Sequence, residues 1–146
     1  MDIAVNKRAR YDYEFLETLE VGIELAGHEV KSAKRGHAKL TGSFVHIRNG
    51  EAWLTNASIA KYAKAATVQE YEPTRSRRLL LAKRDINHLI GKQQTDRCTI
   101  IPIRMYVKRG LIKLEIAVAR GKRKYEKREI IKKRDDERRM RSARMR

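Results

Sequence analysis

Between Tyr13 and Leu25, apolar side chains return at the odd positions Tyr13, Phe15, Leu19, Val21, Ile23 and Leu25, while Glu14, Thr18, Glu20 and Glu24 occupy even ones. A period of two sends successive side chains to opposite faces of an extended chain, so this stretch predicts a half-buried β-strand. A strand-like pattern also flanks Asn49-Gly50 in SFVHIRNGEAWL, Ser43 to Leu54. Asn-Gly readily takes the positive φ angles of a type I′ turn, which predicts a hairpin. A second hairpin is expected from Thr99 to Val107 and Leu111 to Ala119 around Lys108-Arg109-Gly110, because Ile112, Leu114, Ile116 and Val118 alternate with Lys113 and Glu115. Pro102 has no N–H for a ladder and therefore marks an edge or a bulge. Five or six antiparallel strands joined in this way predict a mainly β fold, a small antiparallel barrel of the oligonucleotide-binding kind.

Helical patterns are shorter. Ala82, Ile86, Leu89 and Ile90 share one helix face, with Gly91 suited to end it, and a second helix is expected at Glu29 to Arg35, stopped by Gly36. Lys64 to Arg78 has no period and contains Pro73 and the basic run RSRR, which reads as an exposed loop. Two or three short helices thus accompany the strands. After Gly121 the composition changes: residues 121–146 carry 13 Lys or Arg against 5 acids and no apolar stripe. The chain divides into a barrel domain, 1–120, and a basic tail, 121–146. Glu129 with Lys133, Asp135 with Arg139 and Glu137 with Arg141 are acid-before-base pairs four apart, which favour a helix. Lacking an apolar face, that helix is expected to be disordered alone and to form on a polyanionic partner.

A net charge of +17, shared between body and tail, makes nucleic acid the expected partner. No apolar run approaches the roughly 18 residues of a membrane span, the tail lacks the apolar face of a membrane-surface helix, and MDIAVNKRAR has no signal-peptide core. The lone Cys98 permits no internal disulfide and fits a reducing, cytoplasmic setting as buried filler. Acid and base candidates for RNA cleavage exist at His28-Glu29 with Lys31, and at Asp85 with His88. The four histidines are scattered without metal-ligand spacing, however, and there is no phosphate-binding glycine loop or nucleophile elbow. No catalytic residue, metal or cofactor is therefore expected. Basic clusters at Lys7 to Arg10, Lys31 to Lys39, Arg75 to Arg84 and throughout the tail remain, with Tyr125 set among cations where a ring stacks on an exposed base or packs against the barrel.

The stretches NKRAR (Asn6 to Arg10), LAGHEVKS (Leu25 to Ser32), KRGHAKL (Lys34 to Leu40), SFVHIRNGEAWL, RRLLL (Arg77 to Leu81), LIGK (Leu89 to Lys92) and ARGKRKYEKRE (Ala119 to Glu129) closely resemble, in order and from Asn6 to about Arg134, the SsrA-binding protein (SmpB) family. The resemblance implies a non-enzymatic adaptor of trans-translation. In that family the barrel binds the tRNA-like domain of transfer-messenger RNA and accompanies it to the A site of stalled ribosomes. The tail enters the empty mRNA channel near the decoding centre. Positions matching the family's RNA-binding residues are Glu20, Leu80 and Lys113, with Asn6 and Lys7 as further candidates. Gly121, Lys122, Arg123, Tyr125, Lys127 and Arg128 match its decoding-centre stretch. The family often has His at Tyr125, which keeps stacking but loses a protonatable ring, and Asp at Glu126. The expected partners are transfer-messenger RNA and the ribosome, for a protein that is monomeric when free. A structural ribosomal protein is the alternative.

Overall fold

A computed structural model describes residues 2–62, 70–95, 97–122 and 134–139. In chain order the elements are β1 (Asp2–Val5), α1 (Ala9–Asp12), β2 (Tyr13–Ile23), α2 (Gly27–Lys34), β3 (Ala38–Lys39), β4 (Phe44–Arg48), β5 (Glu51–Thr55), β6 (Ser58–Ile59), β7 (Arg77–Leu80), α3 (Lys83–Thr95), β8 (Thr99–Lys108) and β9 (Leu111–Gly121). The strands run β1-β8-β4-β5-β7-β2-β9, and β9 pairs back onto β8, so β8, β4, β5, β7, β2 and β9 close an antiparallel ring with β1 added outside. Closure leaves the ring without a long bare edge. Both expected hairpins are present. Asn49 and Gly50 have φ 52° and 75°, and Arg109 and Gly110 have φ 52° and 78°. The second turn is tighter than its sequence suggests, since Lys108 already pairs with Leu111.

The ring encloses a core that includes Val21, Leu54, Leu79, Ile100, Met105, Leu114 and Ile116. A smaller cluster of Ala9, Ile101, Ile103, Ala117 and Ala119 lies outside it, covered by α1, Tyr13 and Phe15. Two bulges account for this division. In β2 the register shifts between Phe15 and Glu17, so Phe15 faces Ala119 but Leu19 faces Ile116. Because the side-chain period is two, one extra residue sends Tyr13 and Phe15 to the outer cluster and Leu19 to the inner one. The uniform alternation in sequence hides this change of face. In β8 the shift falls between Pro102 and Arg104, confirming Pro102 as a bulge. There the neighbour of β8 changes from β4, which pairs at Ile100, to β1, which pairs from Arg104 onward.

Two sequence expectations need correction. Gly91 does not end α3, which continues to Thr95, and the left-handed residue after it is Arg97, φ 52°. The apolar face stops near Ile90, but Lys92 to Gln94 need no apolar partner to remain helical on the surface. The stretch 64–78 is likewise not all exposed loop. Residues 64–69 lie outside the described residues, yet Arg77 starts β7 between β5 and β2 and is fully buried.

Arg77 is held by Glu29 of α2, itself fully buried. Arg77 Nε donates to Glu29 Oε2 at 2.9 Å, Nη1 to the carbonyls of Ala57 (2.9 Å) and Arg75 (3.1 Å), and Nη2 to Tyr71 Oη and Pro73 O (each 2.9 Å). Every guanidinium N–H thus has an acceptor. Glu29 also accepts from the Ala26 N–H at 2.9 Å, as the far half of a capping box, and from Arg75 on both oxygens. Burial alone would raise the pKa of this carboxyl, but hydrogen bonds from Arg75, Ala26 and Arg77 outweigh it and bring the value from 4.5 to about 2. A carboxylate whose pKa is lower folded than unfolded contributes stability above about pH 4.5 that is lost as pH falls toward about 2. Unfolding free energy should therefore drop by ~3 kcal/mol across that window in urea titrations, a drop absent in Glu29→Gln. Arg77→Ala should cost ~3–5 kcal/mol at pH 7, because it removes one of the two arginines that pair the buried Glu29 carboxylate.

Candidate nucleic-acid interface

Leu80 of β7 pairs with Gly22 of β2, Gly22 with Lys113 of β9, Lys113 with Tyr106 of β8, and Tyr106 with Asp2 of β1. Residues directly opposite share a face. This row therefore crosses the outer surface of the barrel, and Glu20 stands in the next row, opposite Glu115. Glu20, Leu80 and Lys113, separated widely in sequence, are brought onto one surface. Leu80 is 47% exposed because β7 alternates, turning Arg77 and Leu79 inward and Arg78 and Leu80 outward. Leu80, Gly22 and Lys113 line a groove of about 260 Å³ with Val30 and Leu111.

Glu20 is an awkward residue for a phosphate-facing surface, and its contacts explain its place. Its carboxylate accepts hydrogen bonds from the Tyr106 hydroxyl and from Lys108 Nζ, at 3.2 Å for Oε1. These two bonds, Tyr106 first, hold the Glu20 pKa below its ordinary value, with Lys113 adding to the effect. Tyr106 is pushed up to about 12 by burial and by donating to Glu20. Arg104 lies over the Tyr106 ring at 4.1 Å and bonds Asp2 at 2.8 Å. The Glu20 carboxylate thus holds Lys108 in place on this face. Tyr106, Lys108 and Gly22 were missed in the sequence. Nothing in an alternating strand marks which outward residues meet across strands.

The other expected positions lie elsewhere. Asn6 is buried: its Nδ2 donates to Pro102 O at 3.0 Å and its backbone N–H to Ile103 O at 2.7 Å. It ties the end of β1 to the β8 bulge, so its side-chain amide is engaged within the protein, whereas the neighbouring Lys7 is exposed. Gly121 ends β9 opposite Tyr13. The Lys122 N–H donates to Asp12 O at 2.9 Å, and its Nζ to Arg10 O at 2.5 Å, carrying the folded body two residues past Arg120. Arg123, Tyr125, Lys127 and Arg128 lie outside the described residues. Further along, residues 134–139 are helical, with Arg138 3.5 Å from Asp135.

Glu29 is committed to Arg75 and Arg77. His88 meets Glu17 across a crevice of about 60 Å³ that Asp85 also lines. Among the described residues no cluster of His, Cys, Asp or Glu is arranged to hold a metal, and no helix is long and apolar enough to cross a membrane. The Glu20 network has a direct test. In Tyr106→Phe, a carboxyl-detected NMR titration should show the Glu20 pKa rising back toward its ordinary value. An unchanged value would remove Tyr106 as its main partner.

The chain is 50% identical over 141 residues to the SsrA-binding protein of Trichodesmium erythraeum, covering 97% of this chain and 90% of the relative. It is 49% identical to the SsrA-binding protein of Rubrobacter xylanophilus over 97% and 94%. A solved structure described as "tmRNA-SmpB: a journey to the center of the bacterial ribosome" superposes with a TM-score of 0.67 at 41% identity, over 87% of this chain and 92% of that one. The SmpB protein family model matches residues 3–146. Since that match takes in Glu20, Leu80 and Lys113 as well as the basic tail, the chain belongs to the SmpB protein family.

Proposed function

We propose that this chain is an RNA-binding adaptor of trans-translation, cytoplasmic and without catalysis of its own. The barrel binds the tRNA-like domain of transfer-messenger RNA and delivers it to the A site of a stalled ribosome. The tail occupies the empty mRNA channel near the decoding centre, where Tyr125 stacks and Lys122, Arg123, Lys127 and Arg128 meet phosphates. The observation that carries the reading is the assembly of Glu20, Leu80 and Lys113 from three strands onto one outer face. Such a face suits RNA: Lys113 pairs with a phosphate, Leu80 packs on a sugar or base, and Glu20 keeps Lys108 in position. Lys7 adds a phosphate contact, while Asn6 acts through the segment it anchors. The structural ribosomal protein is not favoured, since the family and the solved neighbour both concern a tmRNA partner.

The folded body reaches Lys122, so a truncation that separates the two roles belongs after that residue. Residues 1–122 should bind transfer-messenger RNA nearly as well as the full chain in a filter-binding assay, yet fail to support tagging of stalled peptides. Equal loss of both would overturn the division between barrel and tail. Binding by the full chain should weaken steeply with salt, because each neutralised phosphate adds about 0.7–0.9 to the slope of log affinity against log salt. A flat response would exclude phosphate contacts as the source of affinity.

A further inference from the structure

Leu111 is the most exposed large apolar side chain among the described residues, at 62%. It follows the Arg109-Gly110 turn, and the turn itself makes no demand for a leucine there. One exposed leucine is unremarkable by itself. Leu111, however, lines the same groove as the exposed Leu80, together with Gly22, Ile23, Leu25, Val30 and Ile112. Gly22 keeps this groove open: a Cβ there would stand 3.2 Å from Leu80 Cβ, closer than Leu80 tolerates without moving. Cations rim it. Lys113 lines it directly, and Lys34 Nζ donates to Gly110 O at 3.3 Å beside Leu111.

We propose that Leu80 and Leu111 form a slot over Gly22 that receives one unstacked nucleobase of the bound RNA, while Lys113 and Lys34 hold its flanking phosphates. This rests on the RNA-binding reading and adds Leu111 as a contact residue and Gly22 as the positioning residue. Size and charge select the occupant. At about 260 Å³ the groove falls below the roughly 300–1,000 Å³ of sites that enclose a whole small molecule, so it takes a fragment presented by something larger. An apolar slot between lysines matches the alternation of base and phosphate in a single strand, where bases stack or pack while cations follow the backbone.

The probe is the transcribed tRNA-like domain of transfer-messenger RNA, titrated with the full-length protein. Leu111→Ala should weaken binding about tenfold, within the range for losing one buried apolar side-chain contact, with an unchanged salt slope. Lys113→Ala should weaken binding and reduce that slope by about 1, the signature of one phosphate contact. Leu16→Ala, at another exposed leucine, should bind normally. Leu111→Trp should retain affinity, and its emission, after subtraction of the Trp53 background, should be quenched by the RNA. Full affinity in Leu111→Ala, or an unquenched Leu111→Trp, overturns the slot. So does a change in oligomeric state in place of RNA affinity, which would make the occupant a second copy. If Lys113→Ala and Leu80→Ala also bind normally, it is the RNA-binding face that fails; if they weaken binding while Leu111→Ala does not, the slot alone fails.

Discussion

The buried pair of Glu29 and Arg77 is the constraint on which the rest of the barrel depends. Two charges removed from water gain little over a well-packed apolar pair, because desolvation offsets most of their attraction. Their effect is on position. Leu54 of β5 faces Arg77 in the ladder, and a slip of β7 by one residue would turn Arg77 outward and away from the Glu29 carboxylate. With Arg77 held inward, Leu79 enters the core and Leu80 must point out. The same carboxylate starts α2 through the Ala26 N–H, and Ser32 Oγ ties that helix to Ala60 O at 2.6 Å. Two residues that line the groove, Leu80 and Val30, are thus placed by one buried contact.

The bulges act on the other half of the surface. At Pro102 the strand loses a donor where its neighbour changes from β4 to β1, and Asn6 bonds the carbonyls on either side of that change. The bulge in β2 lets α1 cover a second apolar cluster outside the barrel, which leaves Glu20 and Gly22 in the exposed part of the strand. The basic tail departs from this covered end, where Lys122 bonds the end of α1. The groove lies at the opposite end of β9, beside its first residues. The outer-face row of Leu80, Gly22 and Lys113 and the origin of the tail are therefore separated along one strand.

Much of the site was legible in sequence, though unevenly. Glu20, Leu80 and Lys113 were singled out through a family resemblance, and neither their spacing nor their chemistry would have joined them, since their proximity comes from pairing across β7, β2 and β9. Asn6 was named as a candidate contact, and its burial against Pro102 and Ile103 is something that a polar residue among basic ones does not reveal in sequence. RSRR contained the largest misreading. Arg75, Arg77 and Arg78 look equivalent as basic residues near a proline, but a strand alternates, and only the presence of Glu29 across the core decides which arginine turns inward.

The sequence by itself determined the strands β2, β4, β5, β8 and β9 with their two hairpins, an irregularity at Pro102 and the contrast between an apolar-patterned body and a charged tail. Each of these follows from local physics: side-chain period, turn residues that accept positive φ, a missing N–H, and the absence of a face to bury. Tertiary structure alone decided which face of β2 turned where, which arginine entered the core, and which outward residues met as a groove. Those outcomes depend on partners distant along the chain. A one-residue bulge or a single buried carboxylate changes them without altering the local pattern.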